Sequence, residues 1–213
     1  MNSKARFRNL AASVALLMLA GCGSPPPPDE GYIPKIYAVE QQEKAAIALR
    51  DGNEAEAEAA ADRAIEHDPG YAPPYIAKAT VLARRNDLAG AKAVLDTCLA
   101  QQPAFAEAHL LRGALQEELK QPDAARADYE HAVTGYAALV EKDPANTENI
   151  LKHAIAEYLR GGTAGIRAIN QMVANFPDDT LARFVRERMV AQDRAFAFRW
   201  LTGMQPGAAA PSK

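Results

Sequence analysis

The sequence predicts an all-α protein, an array of antiparallel helix pairs with a closing helix at its C-terminal end. Three observations carry that expectation. Alanine supplies 46 of 213 residues, while aromatics make up only 7% and Val and Ile are sparse. Ala is the best helix former and β-branched residues are the staple of strands, so this composition favours helices over sheets. Small residues then recur at one interval: Ala45, Ala79 and Gly113; Ala57, Ala91 and Ala125; and Ala64, Cys98 and Ala132 are each 34 residues apart. A fixed period of that length marks a repeat architecture. Finally, Asp51-Gly52-Asn53, Arg85-Asn86-Asp87 and Lys120-Gln121-Pro122-Asp123 interrupt the helical stretches in the same phase. Gly, Asn and Pro end helices, and Asp or Asn caps the next one.

Residues 1–21 read as a signal peptide. Lys4, Arg6 and Arg8 form a basic start, and Leu10 to Ala20 is apolar. That run is too short to cross a hydrocarbon core of ~30 Å as a helix. It ends in Leu19-Ala20-Gly21-Cys22, and here the chain resembles bacterial lipoprotein precursors, whose lipobox is an apolar residue, two small residues and Cys. The resemblance implies a lipidation site at Cys22, with diacylation at sulfur, cleavage before the Cys and acylation of the new amine. It implies no other cofactor. Gly23 stands where inner-membrane-retained enterobacterial lipoproteins carry Asp, so the family rule places the protein at the outer membrane, facing the periplasm. Residues 22–35 hold the lipidated Cys and a tether, in which Pro25 to Pro28 favour an extended polyproline II spacer.

Residues 36–178 carry the repeats, at about 38–71, 72–105, 106–144 and 145–178. The dipeptides Asp68-Pro69 and Gln102-Pro103 close the first two units, because Pro cannot continue the preceding helix. Each unit is expected to be two helices of about 13–15 residues, with small residues where the pair approaches closely. This pattern resembles the tetratricopeptide repeat family, which implies a right-handed α-solenoid. The family's early aromatic is Gln41, then Tyr75, then His109, and its large residue in the second helix is Ala61, then Leu95, then Tyr129. The first unit is therefore underfilled, as terminal repeats are. From Pro103 to Pro144 is 41 residues, a repeat plus two helical turns, so the third unit's second helix should run long. The fourth unit has Ala154 and Gly165 as its small contacts and Gly161-Gly162 in its turn.

Residues 179–203 are expected to form one amphipathic helix, started by Asp178-Asp179-Thr180, and residues 204–213 a disordered tail. Five Arg against Glu187 and Asp193 give residues 180–203 a charge of +3, whereas residues 29–68 hold eleven acids and four bases. The helix either shields the last repeat or, through Phe196, Phe198, Arg199 and Trp200, offers a second partner surface, since these residue types favour hot spots.

Little in the sequence points to catalysis. The four histidines, 67, 109, 131 and 153, make no metal-binding spacing and read as surface or packing residues. Cys98 sits in a small-residue column and reads as a buried thiol. Gly161-Gly162-Thr163-Ala164-Gly165 follows no strand and precedes no Gly-Lys-Ser/Thr, so it reads as an interhelix turn. A net charge of −3 argues against a nucleic-acid partner, and no small-molecule substrate is implied.

In the repeat family the first helix of each pair lines a concave groove. Counting from the small residues places Gln42, Ala46, Ile76, Thr80, Ala83, Leu110 and Ala114 on that face, with Arg50 and Arg84 at its edge. The Lys and Asn with which chaperone-binding members clamp a terminal carboxylate are missing there. A mildly apolar groove suits an extended or helical protein segment, unless the long third unit and the final helix cover it. The resemblance implies a non-catalytic adaptor for protein partners of the cell envelope, in pilus, secretion, outer-membrane or murein machinery, with membrane contact through the lipid anchor only. The alternative is a periplasmic holdase-like chaperone or carrier for an exported polypeptide.

Overall fold

The computed structural model describes residues 33–161 and 163–204. The signal segment, Cys22, most of the tether, Gly162 and the tail from residue 205 onward lie outside the described residues.

Among the described residues there are ten helices and no strand. They are α1 (Ile36–Arg50), α2 (Glu54–His67), α3 (Pro73–Arg84), α4 (Leu88–Gln101), α5 (Ala106–Glu118), α6 (Pro122–Lys142), α7 (Thr147–Arg160), α8 (Ala164–Asn175), α9 (Thr180–Val190) and α10 (Ala195–Leu201). From α1 to α9 each helix packs on the next, and α1 also lies beside α3, and α3 beside α5. The fold is thus an α-solenoid in which α1, α3, α5 and α7 are the first helices of four pairs. The long second helix of the third unit is α6, with 21 residues.

Local chemistry sets the helix ends. The side chains of Asn53, Asp87, Asn146 and Asp179 accept from the backbone N–H groups of Glu56, Gly90, Asn149 and Ala182 and so start α2, α4, α7 and α9. Each of the four pairs turns through one left-handed residue: Gly52 (φ 77), Asn86 (φ 63), Lys120 (φ 62) and Gly161 (φ 104). In the first three, the next N–H donates back to a carbonyl five residues earlier: Asn53 to Ala48, Asp87 to Leu82, Gln121 to Gln116, at 2.8–2.9 Å. That closure satisfies carbonyls at the helix C-terminus.

The single helix expected over residues 179–203 is two helices, α9 and α10. The same device divides them: Gln192 has φ 58, and the Asp193 N–H donates to the Arg188 carbonyl at 3.0 Å. No Gly or Pro marks the spot, so the apolar spacing of the sequence reads straight through it.

Small residues let the pairs close. Gly113 lies against the Tyr129 ring, and Gly165 against the backbone of Ala154 and Tyr158. The first pair is held mainly by Ala45, Ala60 and Ala61 with Ala77 of α3, the underfilled packing its sequence implies. The core deepens toward the C-terminal half, where Tyr129, Tyr136, Leu151, Ile155, Ile169 and Met172 are all buried.

Candidate functional site

The first helices α1, α3 and α5 lie side by side and present a common face, and α10 lies on it at α5. Rather than folding back on α9, α10 packs on α5. Phe196 and Ala197 are buried in the C-terminal core with Leu110 and Ile155. Phe198 and Leu201 pack against the cluster formed by Tyr75, Ala79, Ala83, Leu111 and Leu115.

Polar contacts fix both ends of α10. At its start, Arg194 donates to the Leu159 carbonyl at 2.6 Å, pairs with Glu117 and lies over the Tyr158 ring, 5.8 Å from the centroid. Tyr158 in turn meets the Phe196 ring at 6.4 Å. At its end, Arg84 Nε donates to the Thr202 carbonyl at 2.6 Å while Nη1 donates to the Leu49 carbonyl at 3.0 Å. One guanidinium therefore joins the C-terminal ends of α1 and α10, where helices leave carbonyls without intrahelical partners.

The register of α9 explains this path. In the four pairs, a small residue lies seven positions before the left-handed turn residue: Ala45 and Gly52, Ala79 and Asn86, Gly113 and Lys120, Ala154 and Gly161. Ala182, Val185 and Met189 are buried in α9 at the offsets from its first residue that Ala108, Leu111 and Leu115 occupy in α5. By that alignment Glu187 takes the place of Gly113, and the turn residue Gln192 follows only five positions later. At ~100° per residue, two missing residues swing the exit of the chain about 200° around the helix. Glu187 is exposed, so no second helix covers it, and the chain leaves toward the first-helix face. A cleft of about 130 Å³ opens between α9 and α10, lined by Phe184, Arg188, Phe196, Arg199, Trp200 and Met204.

The two surfaces singled out in the sequence thus meet each other. Thr80, Ala83, Leu110 and Ala114 are buried, and Ile76 and Arg84 are half-buried. Gln42 is half-buried with a side-chain oxygen that finds no partner among the described residues, whereas Ala46 and Arg50 are exposed over the first pair. Of the C-terminal group, Phe196 is buried and Phe198, Arg199 and Trp200 are half-buried, with Arg199 paired to Asp193 at 3.1 Å. Glu117, Tyr158 and Arg194 escaped the sequence reading. Glu117 and Tyr158 were within its reach, because they stand at the offset of Ala83, three positions before the turn residue.

A buried ionic cluster, also missed, holds the centre of the array. Asp128 of α6 accepts from Arg112 Nε and Nη2 at 2.8 and 2.7 Å, and Arg112 Nη1 reaches Asp96 of α4 at 2.8 Å. His109 places Nδ1 2.7 Å from Asp128 and Nε2 2.9 Å from the Pro103 carbonyl. Burial raises the Asp128 carboxyl's pKa, but hydrogen bonds from His109 and Arg112 outweigh it and hold the group below its ordinary value. The 16-residue steps from Asp96 to Arg112 to Asp128 were the available signal. This cluster ties α4, α5 and α6 together, with Asp96 partly exposed and His109 also lining a surface pocket beside His131 and Gly135. Among the described residues no group of His, Cys, Asp and Glu is arranged to hold a metal ion, and no helix is long and apolar enough to cross a membrane.

Solved structures with a similar trace include a tetratricopeptide repeat protein from Parabacteroides merdae ATCC 43184, at 20% identity and TM-score 0.48, covering 78% of this chain. This chain spans only 59% of that protein's length. MamA from Desulfovibrio magneticus RS-1 matches at 21% identity and TM-score 0.46, over 81% of this chain and 97% of its own. YrrB, described as a TPR protein with an unusual peptide-binding site, matches at 18% identity and TM-score 0.45, over 80% of this chain and 88% of its own. At such values these likenesses say nothing about what this chain binds. No curated protein matches the chain. The tetratricopeptide repeat family model matches residues 48–115, from the last turn of α1 through most of α5, where the 34-residue period is strictest.

Proposed function

We propose that this protein is a non-catalytic adaptor, tethered to the cell envelope by lipid on Cys22, that binds a protein partner through its first-helix face. The observation that carries the reading is the face itself: it holds a short amphipathic helix, α10, by apolar packing in the middle and arginine contacts at both ends. A surface that accommodates such a segment within the chain is suited to a helical segment of another protein. The lipobox Leu19-Ala20-Gly21-Cys22 supports the anchor, and two or three acyl chains, at about 0.8 kcal/mol per buried CH₂, suffice for stable attachment. Outer-membrane placement rests on Gly23, which stands where inner-membrane-retained lipoproteins carry Asp.

The test is fractionation with crosslinking from native membranes. The wild-type chain should take up labelled palmitate, sediment with membranes and capture one stoichiometric partner, and Cys22→Ala should become soluble. A Cys22→Ala protein that stays with the membrane refutes the anchor. Capture of many unfolded polypeptides instead of one folded partner would replace the adaptor with the holdase-like alternative.

A further inference from the structure

The strongest unexplained feature is a helix of seven residues held away from its own neighbour in sequence. Helices of that length do not persist alone in water, and α10 packs chiefly on α5, with a cleft opening between it and α9. Its order therefore comes mostly from the first-helix face and the C-terminal core beneath it. What that face recognises is generic at one end and specific in the middle. Arg84 holds a backbone carbonyl, that of Thr202, which any helix C-terminus offers. Glu117 holds a cation, Arg194. Between them, Phe196, Ala197, Trp200 and Leu201 form an i, i+1, i+4, i+5 stripe that is buried or half-buried on α5 and its neighbours.

We infer that α10 is a removable occupant, and that the partner presents a short amphipathic helix of the same make and takes its seat. This rests on the first-helix face being the partner site. The partner helix carries aromatic and aliphatic residues on one face, a Lys or Arg just before its first turn to meet Glu117, and a free C-terminal end for Arg84. In the resting protein α10 competes at the high effective concentration of a tethered segment, which keeps the face closed to weak ligands.

The test uses the mature chain from residue 22 with Cys22→Ser, and a fluorescein-labelled peptide with the sequence of residues 193–204. Arg194→Glu sets like charge against Glu117 and should free α10. We expect peptide affinity to rise at least tenfold over the wild-type chain. The emission of Trp200, the chain's only tryptophan, should shift to the red in the same variant before peptide is added. Phe198→Pro breaks α10 without altering the receiving face and should give the same gain, and circular dichroism of both variants should retain the helices of α1 to α8. Equal affinity for wild type and both variants, or equal binding of a scrambled peptide, overturns the inference. If the variants lose their remaining helical signal, α10 is an integral part of the core and the inference also fails. The assay contains no membrane and no partner, so its failure leaves an adaptor acting through another surface standing, whereas failure to capture an envelope partner leaves a peptide result intact.

Discussion

The guanidinium of Arg84 meets the carbonyl of Thr202 at 2.6 Å across 118 residues of sequence. The same side chain holds the Leu49 carbonyl, and Gly203, at φ 63, lies directly against it. This contact ties the C-terminal segment to the second repeat and gives the first-helix face its occupant.

Replacing Arg84 with Ala should therefore loosen α10 selectively. Hydrogen bonds to a charged donor contribute about 1.5–3 kcal/mol each, and Arg84 is half-buried, so a local loss of about 1–2 kcal/mol is the expected scale. Hydrogen exchange should quicken in residues 195–204 and stay unchanged in α4 to α6. Uniform acceleration throughout the chain would contradict a local role.

The cluster around Asp128 should govern stability. Asp128→Ala leaves the partly buried Arg112 guanidinium with Asp96 alone, and losing hydrogen bonds to a charged group in this way costs about 1.5–3 kcal/mol. Urea denaturation would show it as a lower midpoint. The sign of the pH dependence follows from the direction of the shift. The folded-state pKa lies below the unfolded value near 3.8, so the contribution is present above that value and is lost as pH falls through the depressed folded value. Melting of the wild-type protein between pH 5 and pH 2 should lose stability that Asp128→Asn lacks from the start.

Cys98 should be inert in the folded state. Burial, opposed by Arg112 and assisted by Glu107, pushes its thiol up to about 12, so at neutral pH the nucleophilic thiolate is negligible. In a chain starting at residue 22 and carrying Cys22→Ser, reaction with a thiol-specific disulfide reagent should wait for unfolding by denaturant. Rapid reaction under native conditions would show that α4 opens far more readily than its packing implies.

Two glycines separate packing from backbone conformation. A Cβ on Gly165 would meet the backbone of α7, including the Tyr158 nitrogen at 2.5 Å, so Gly165→Ala should push α7 and α8 apart and cost about 1–3 kcal/mol. Gly52 has open space around it but a φ of 77, so Gly52→Ala should cost about 1 kcal/mol through backbone strain alone. Calorimetric melting distinguishes the two.

The helix pairs were legible in the sequence because a repeated close contact leaves a repeated small residue: Ala79, Gly113 and Ala154 each mark where a second helix touches. The turns were legible at Gly52 and Asn86 for the same local reason. The break at Gln192 was not, since a left-handed Gln carries no compositional mark and the apolar residues on both sides continue a helical rhythm. The sequence raises the final helix as a cover for the groove but does not locate its seat. That seat depends on a turn arriving five rather than seven residues after Glu187, and on partners such as Arg84 and Thr202 whose distance along the chain leaves no periodic trace. The Asp96–Arg112–Asp128 cluster escaped because its members stand one per helix, where charge reads as surface.

The most direct test of the account places a photo-crosslinking amino acid at Ile76, which is half-buried on the first-helix face in the cluster that takes in Phe198 and Leu201. Irradiation of the purified chain and mass spectrometry should map crosslinks within the chain to residues 195–204. Irradiation in native membranes should divert part of that signal to one partner protein. A crosslink that never reaches residues 195–204 in the purified chain would contradict the docking of α10, and with it the account of how this face is filled.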